Sequence, residues 1–157
     1  MIRIYYKDIK KLDIKQTAIK QWLKKIALTE GYKVGELTYI FCSDEYLLCI
    51  NQQYLNHNTY TDVITFDNNK HYPTPKIIAK QLSSKKEKAK IISGDIFISL
   101  ERVTENAKKF KVSSENELFR VMIHGMLHLM GYNDKSPKDK KMMRAKEEKS
   151  LTSCPSF

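Results

Sequence analysis

The sequence predicts an α+β fold, a small mixed β-sheet of about four strands packed by helices. Three observations carry that reading. Four short segments are rich in β-branched and aromatic residues, apolar residues recur at helical spacing after the first two of them, and everything beyond the fourth reads as helix with capping signals. Strands followed by a helical C-terminal half do not make a regular βαβ array. With 157 residues, 41% of them hydrophobic, the chain fits a single domain over 1–157 and can bury a real core.

In chain order, Ile2 to Tyr6 reads as a short strand. Ile19, Trp22, Leu23 and Ile26 share one face of a helix whose other side carries Lys20, Lys24 and Lys25, and Gly31 stops it. Leu37 to Cys42 is the second strand. Ser43 caps the next helix, which runs through Tyr46, Leu47, Ile50 and Tyr54. Asp62 to Phe66 is the third strand. Asp67 to Ser93, with two prolines and many lysines between Lys70 and Lys90, reads as irregular, its first half a flexible loop with room for a short helix near Ile77 to Leu82. Asp95 to Ser99 is the fourth strand. A helix from Leu100 to about Phe110 follows. Ser114 and Glu117 have the form of a capping box opening a helix through His128. Gly131 stands where a left-handed C-cap is expected, and Ser136-Pro137 with Asp139 starts the last helix.

The formal net charge of +10 points to a polyanionic partner, nucleic acid before anionic membrane. No signal-peptide pattern opens the chain, and no run approaches the roughly 18 apolar residues that span a bilayer. Cys42, Cys49 and Cys154 have no CxxC spacing and an odd count, which excludes a disulfide framework and favours a reducing cytoplasm.

The segment that carries chemistry is Val121 to Asp134. His124 and His128 lie one helical turn apart on one face, so their rings can converge on one ion, most simply Zn2+. Gly131 lets the chain turn back, and Asp134 can then supply a carboxylate oxygen. Two histidines and a carboxylate leave a position open for water, the layout of a catalytic rather than a closed structural site. The bland alternative is a pair of core histidines with satisfied ring nitrogens. Position 125 is glycine, so an HExxH peptidase glutamate is missing.

His124-Gly-x-Leu127-His128-Leu-x-Gly131-Tyr132 resembles the HGxLHLxGYDH signature of the YbeY family of rRNA maturation factors. Thr61 to Phe66 (Thr-Asp-Val-Ile-Thr-Phe) is similar to that family's TDVLSF strand, and Gly94 to Ser99 to its GDI-x-IS strand. The resemblance covers about Leu47 to Asp134. It implies a zincin-like fold with a metal in a cleft beside the sheet. It implies a metal-dependent, single-strand-specific endoribonuclease acting in small-subunit (16S) rRNA maturation and ribosome quality control. It further implies a cytoplasmic protein that associates with the small ribosomal subunit.

Carried over residue by residue, His124 and His128 match the first two metal histidines, Asp134 takes the place of the third, and Asn133 that of the preceding Asp. His124 and His128 are catalytic through the water on the ion, which would acidify that water and polarise a phosphoryl oxygen. Asp for His adds negative charge and hardens the site. The family's arginine before the third strand falls on Leu55, and no arginine lies between Arg3 and Arg102; His57, otherwise a polar loop residue, or the lysines of 70–90 could supply positive charge instead. The histidines' other ring nitrogens require a carboxylate or carbonyl, with Asp95 as a candidate; Asp62 reads as a cap or turn group. Tyr54, Tyr60 and Phe66 could stack bases, with core packing the safer role for Phe66. Two rivals remain: a ribosome-assembly or RNA-binding factor that keeps the metal without cutting, and a metal-dependent hydrolase of another substrate.

Overall fold

The computed structural model describes residues 1–71 and 90–156. The short helix near Ile77 to Leu82, the flexible loop and most of the lysine-rich stretch lie outside those residues. Four strands, β1 (Ile2–Lys7), β2 (Tyr32–Cys42), β3 (Val63–Asp67) and β4 (Lys90–Ser99), form one sheet in the order β1-β2-β4-β3. β1, β2 and β4 are parallel and β3 is antiparallel to β4, so the sheet is mixed. Five described helices accompany it: α1 (Gln16–Thr29), α2 (Asp44–Leu55), α3 (Leu100–Phe110), α4 (Ser114–Leu129) and α5 (Pro137–Leu151).

The two faces of the sheet bury different things because side chains alternate along a strand. Leu37, Tyr39 and Phe41 of β2, with Ile96 and Ile98 of β4, enter the larger core with α1 and α4. Phe97 turns the other way and packs with Ile64, Leu47 and Ile50 beneath α2. α4 is sunk deepest, with Val121, Met122, Ile123, Met126 and Leu127 fully buried. The Tyr39 hydroxyl donates to the Met122 carbonyl at 3.0 Å, which ties the middle of α4 to the sheet. α5 packs against the outer side of α4.

Caps sit where short polar side chains could satisfy free N–H groups. Ser43, Ser99 and Ser136 accept from Tyr46, Arg102 and Asp139 at 3.1, 3.1 and 3.0 Å. α4 differs from expectation. Its cap is Ser113, accepting from the Asn116 N–H at 3.0 Å, so no Ser114–Glu117 box forms. Glu117, only 1% exposed, turns inward instead and clamps Arg120. Two strands also begin earlier than the sequence suggested. β2 starts at Tyr32, its early part separated by an irregularity between Val34 and Leu37, and β4 starts at Lys90 inside the stretch read as irregular.

Candidate metal centre

α4 brings His124 and His128 to the edge of the sheet, and the reason is Gly125. A Cβ there would stand 2.7 Å from Ile96 Cγ2 and 3.3 Å from Thr65 Oγ1, so the backbone approaches β3 and β4 as only glycine allows. A glutamate at this position would meet the sheet. α4 then ends in a Schellman turn. Gly131 has φ +94°, the Tyr132 N–H donates to the Leu127 carbonyl at 3.1 Å, and the Gly131 N–H to that of His128 at 3.0 Å. The chain doubles back and delivers Asp134 opposite both rings.

The result is a tight cluster. His124 Nε2 and His128 Nε2 are 2.9 Å apart, and Asp134 Oδ2 lies 3.3 and 3.4 Å from them. The two rings stand nearly perpendicular, at 81°. Their other nitrogens are spoken for: His124 Nδ1 meets Glu147 Oε1 at 2.7 Å, and His128 Nδ1 meets the Tyr132 carbonyl at 3.0 Å. A carboxylate and a carbonyl can only accept, so each imidazole carries its proton on Nδ1 and presents a bare Nε2 lone pair. Three acceptors therefore converge with no donor among them, an arrangement that a cation satisfies. Ligand atoms about 2.0–2.1 Å from a tetrahedral ion stand roughly 3.3–3.4 Å apart, so the trio fits one after the nitrogens part by about 0.4 Å.

Burial and neighbours keep the His128 ring in the neutral form that a metal ligand needs. His128 titrates below the usual histidine range, because burial and the nearby His124 disfavour its charged form more than Asp134 and the Tyr132 carbonyl restore it. Burial alone would push the Glu147 carboxyl up, but the hydrogen bond from His124 and the Arg120 charge outweigh it and hold it below the ordinary range. Asp134 is the outermost of the three, with 42% of its side chain exposed against 16% for His124.

The cluster opens into a cleft of about 850 Å³ between the α2–β3 connection and the turn after α4. Leu55, His57, Asp62, Asn133 and Lys135 line it, together with the two histidines and Asp134. Leu55 thus does face the site, and among the described lining residues Lys135 is the lysine or arginine present. Asp62 faces Arg120 Nη2 at 3.7 Å, an ion-pair group rather than a plain turn residue. Asp95 is not the partner of either histidine: it lies 3.5 Å from Asn68, and the carboxylate on His124 comes from α5. Tyr60 does not line the cleft, since its hydroxyl donates to Glu45 at 2.9 Å and Arg102 covers its ring. Tyr54 does not line it either and meets Phe66 edge-on, while Phe66 packs with Phe97 in the smaller core.

The family model for Endoribonuclease YbeY matches residues 4–155. The chain belongs to the YbeY family. Curated YbeY-family proteins named Endoribonuclease YbeY include one from Cytophaga hutchinsonii, 47% identical over 149 residues (94% of this chain, 92% of that one). Another, from Flavobacterium psychrophilum, is 49% identical over 136 residues, covering 87% of this chain and 84% of its own length. Among solved structures, the solution structure of TM1509 from Thermotoga maritima superposes with a TM-score of 0.59 at 29% identity, over 96% of this chain and 87% of that one. No described helix of this YbeY-family chain is long and apolar enough to cross a membrane.

Two groups at the centre were not found by sequence reasoning. Glu147 lies on a helix with no aliphatic stripe, and the Tyr132 carbonyl is backbone, invisible to residue type. The one available signal was Met143 and Glu147 at i and i+4, the two buried residues of α5.

Proposed function

We propose that this chain is a single-strand-specific, metal-dependent endoribonuclease that acts in maturation of small-subunit (16S) rRNA and in ribosome quality control. It works in the cytoplasm, on the small ribosomal subunit. His124, His128 and Asp134 hold one Zn2+. The observation that carries this reading is the meeting of three hydrogen-bond acceptors with no donor, at the edge of an open cleft. Bound there, a divalent ion supplies Lewis acidity toward a phosphoryl oxygen and acidifies water near neutral pH.

The chain's own residues do the rest. His124 and His128 offer neutral Nε2 atoms, Asp134 contributes a carboxylate from the exposed side of the turn, and the cleft leaves an approach for an extended strand. Lys135 stands next to Asp134 at the mouth, where a phosphate of the bound strand can reach it. A peptidase is disfavoured because the glutamate such an enzyme carries on this helix would collide with Ile96 at position 125.

Leu55 favours a second reading, a ribosome-assembly factor that keeps the ion without cutting, since an apolar side chain faces the cleft where the family resemblance places an arginine. Cleavage of a single-stranded RNA decides between them. Wild type should cut, with loss on chelation and in His128→Ala; equal activity in wild type and His128→Ala contradicts the enzyme, and no cutting by either favours the binding factor.

A further inference from the structure

Behind the centre lies a chain of charged groups that no part of the proposed reaction uses. Glu117 and Glu147 are 1% and 2% exposed, an expensive state for carboxylates unless each is paired. Arg120 pairs both. Its Nε and Nη2 donate to Glu117 at 2.9 and 2.6 Å, and its Nη1 donates to Glu147 Oε2 at 3.2 Å. Glu147 spends its other oxygen, Oε1, on His124 Nδ1 at 2.7 Å. Arg144 adds a more distant contact to Oε2 at 3.9 Å.

We propose that Glu147 is the positioning residue of the metal centre: held by Arg120, it fixes the proton of His124 on Nδ1 and so keeps Nε2 free to face the cleft. The inference rests on the metal-centre reading above and adds a residue to it. Three features carry it. The two carboxylate oxygens are divided, one to the guanidinium and one to the imidazole, so the acid cannot turn away from His124 without abandoning Arg120. Arg120 is itself immobilised by the two-point contact with Glu117 on the same helix, one turn from His124. A buried ion pair is a poor source of stability compared with apolar packing, so its presence directly behind a ligand suits orientation better than cohesion. The same commitments exclude Arg120 from replacing the arginine missing at Leu55, because its donors already serve Glu117 and Glu147.

Glu147→Gln tests the assignment with little change of shape. The amide has one acceptor oxygen for two donors, Arg120 and His124. Arg120, being charged, retains the oxygen, and the NH2 then faces His124 and draws the imidazole proton to Nε2, where it blocks the ion. In the metal-stripped chain, 15N NMR should find His124 protonated on Nδ1 in wild type and on Nε2 in Glu147→Gln. In competition with a chromophoric chelator, Zn2+ affinity should fall roughly 10–100-fold in the variant. A variant that is folded by near-UV circular dichroism, keeps the Nδ1 proton and binds Zn2+ as tightly as wild type overturns the inference and leaves the metal reading standing. A variant that does not fold shifts the comparison to Glu147→Asp, where a retained Nδ1 proton with partial affinity supports the assignment and unchanged affinity without that proton overturns it. A wild type that takes up no Zn2+ overturns the metal reading itself, and the inference with it.

Discussion

In the proposed centre, Asp134 is the ligand that would set which ion is preferred. His124 and His128 are borderline ligands shared by many divalent metals, whereas a carboxylate oxygen leans toward harder ones. Replacing it by the histidine of the family signature should keep one ion per chain and raise the ratio of Zn2+ to Mn2+ affinity, which competition titrations measure. Asp134→Ala should weaken binding by more than the roughly 10–100-fold expected for loss of an outer partner such as Glu147. That these three side chains meet was legible in the sequence for a physical reason: a four-residue spacing fixes two rings on one helix face, and a glycine after it licenses the turn that returns Asp134. Glu147 was not legible, because an acid among the lysines of α5 looks like any solvated helix residue until α5 is known to pack against α4. Asp95 misled for the converse reason, sitting in a family-like motif but facing Asn68 rather than a histidine.

At the scale of elements, the position of α4 against the sheet sets where the histidines stand. Gly125→Ala sets two effects against each other. Alanine gains about 1 kcal/mol of helix propensity, while forcing a methyl to within 2.7 Å of the fully buried Ile96 costs about 1–3 kcal/mol. The net should be destabilisation, seen as a lower thermal midpoint, with weaker Zn2+ binding because the histidines move off the sheet edge. The turn after α4 is held from both sides. Tyr32 donates to the Met130 carbonyl at 2.6 Å, and Tyr132, whose carbonyl serves His128, donates its hydroxyl to Glu30, the residue that caps the C-terminus of α1, at 2.7 Å. Lys146 of α5 closes that clamp at 2.7 Å. Burial tends to raise the Glu30 carboxyl, but hydrogen bonds from Lys146 and Tyr132 hold it below the ordinary range. Its contribution to stability is then complete above the unfolded-state value of about 4.3 and is lost as pH falls through the lower folded-state value. In the metal-stripped chain, Glu30→Gln should lower stability at neutral pH and flatten its decline in acid, as urea melts across pH would record. The four strands and the order of the helices could be read from periodicity and caps. The early starts of β2 and β4 could not, since Tyr32 to Val34 and Lys90 to Ile92 are strand only because they pair with one another across the sheet.

For the molecule as a whole, the charge of +10 and the cleft belong to one account. A basic chain that grips RNA through its phosphates loses affinity with salt, by a log–log slope of about 0.7 per phosphate contact on a single strand. A steep slope for single-stranded RNA is expected, and a flat one contradicts the electrostatic part of the proposal. The α+β class and the four-stranded sheet agree with what hydrophobic alternation and caps implied, because those are local signals, and the cleft beside the sheet agrees with what the family resemblance implied. Which helix backs the centre, and which cations line it, depend on contacts between distant parts of the chain. All of the proposed chemistry requires two imidazoles and one carboxylate to take up an ion. Calorimetric titration of tag-free, metal-stripped protein with Zn2+ tests that directly. One ion per chain in wild type, with binding lost in His128→Ala, is the expected result; the same uptake by both proteins, or none by wild type, contradicts it.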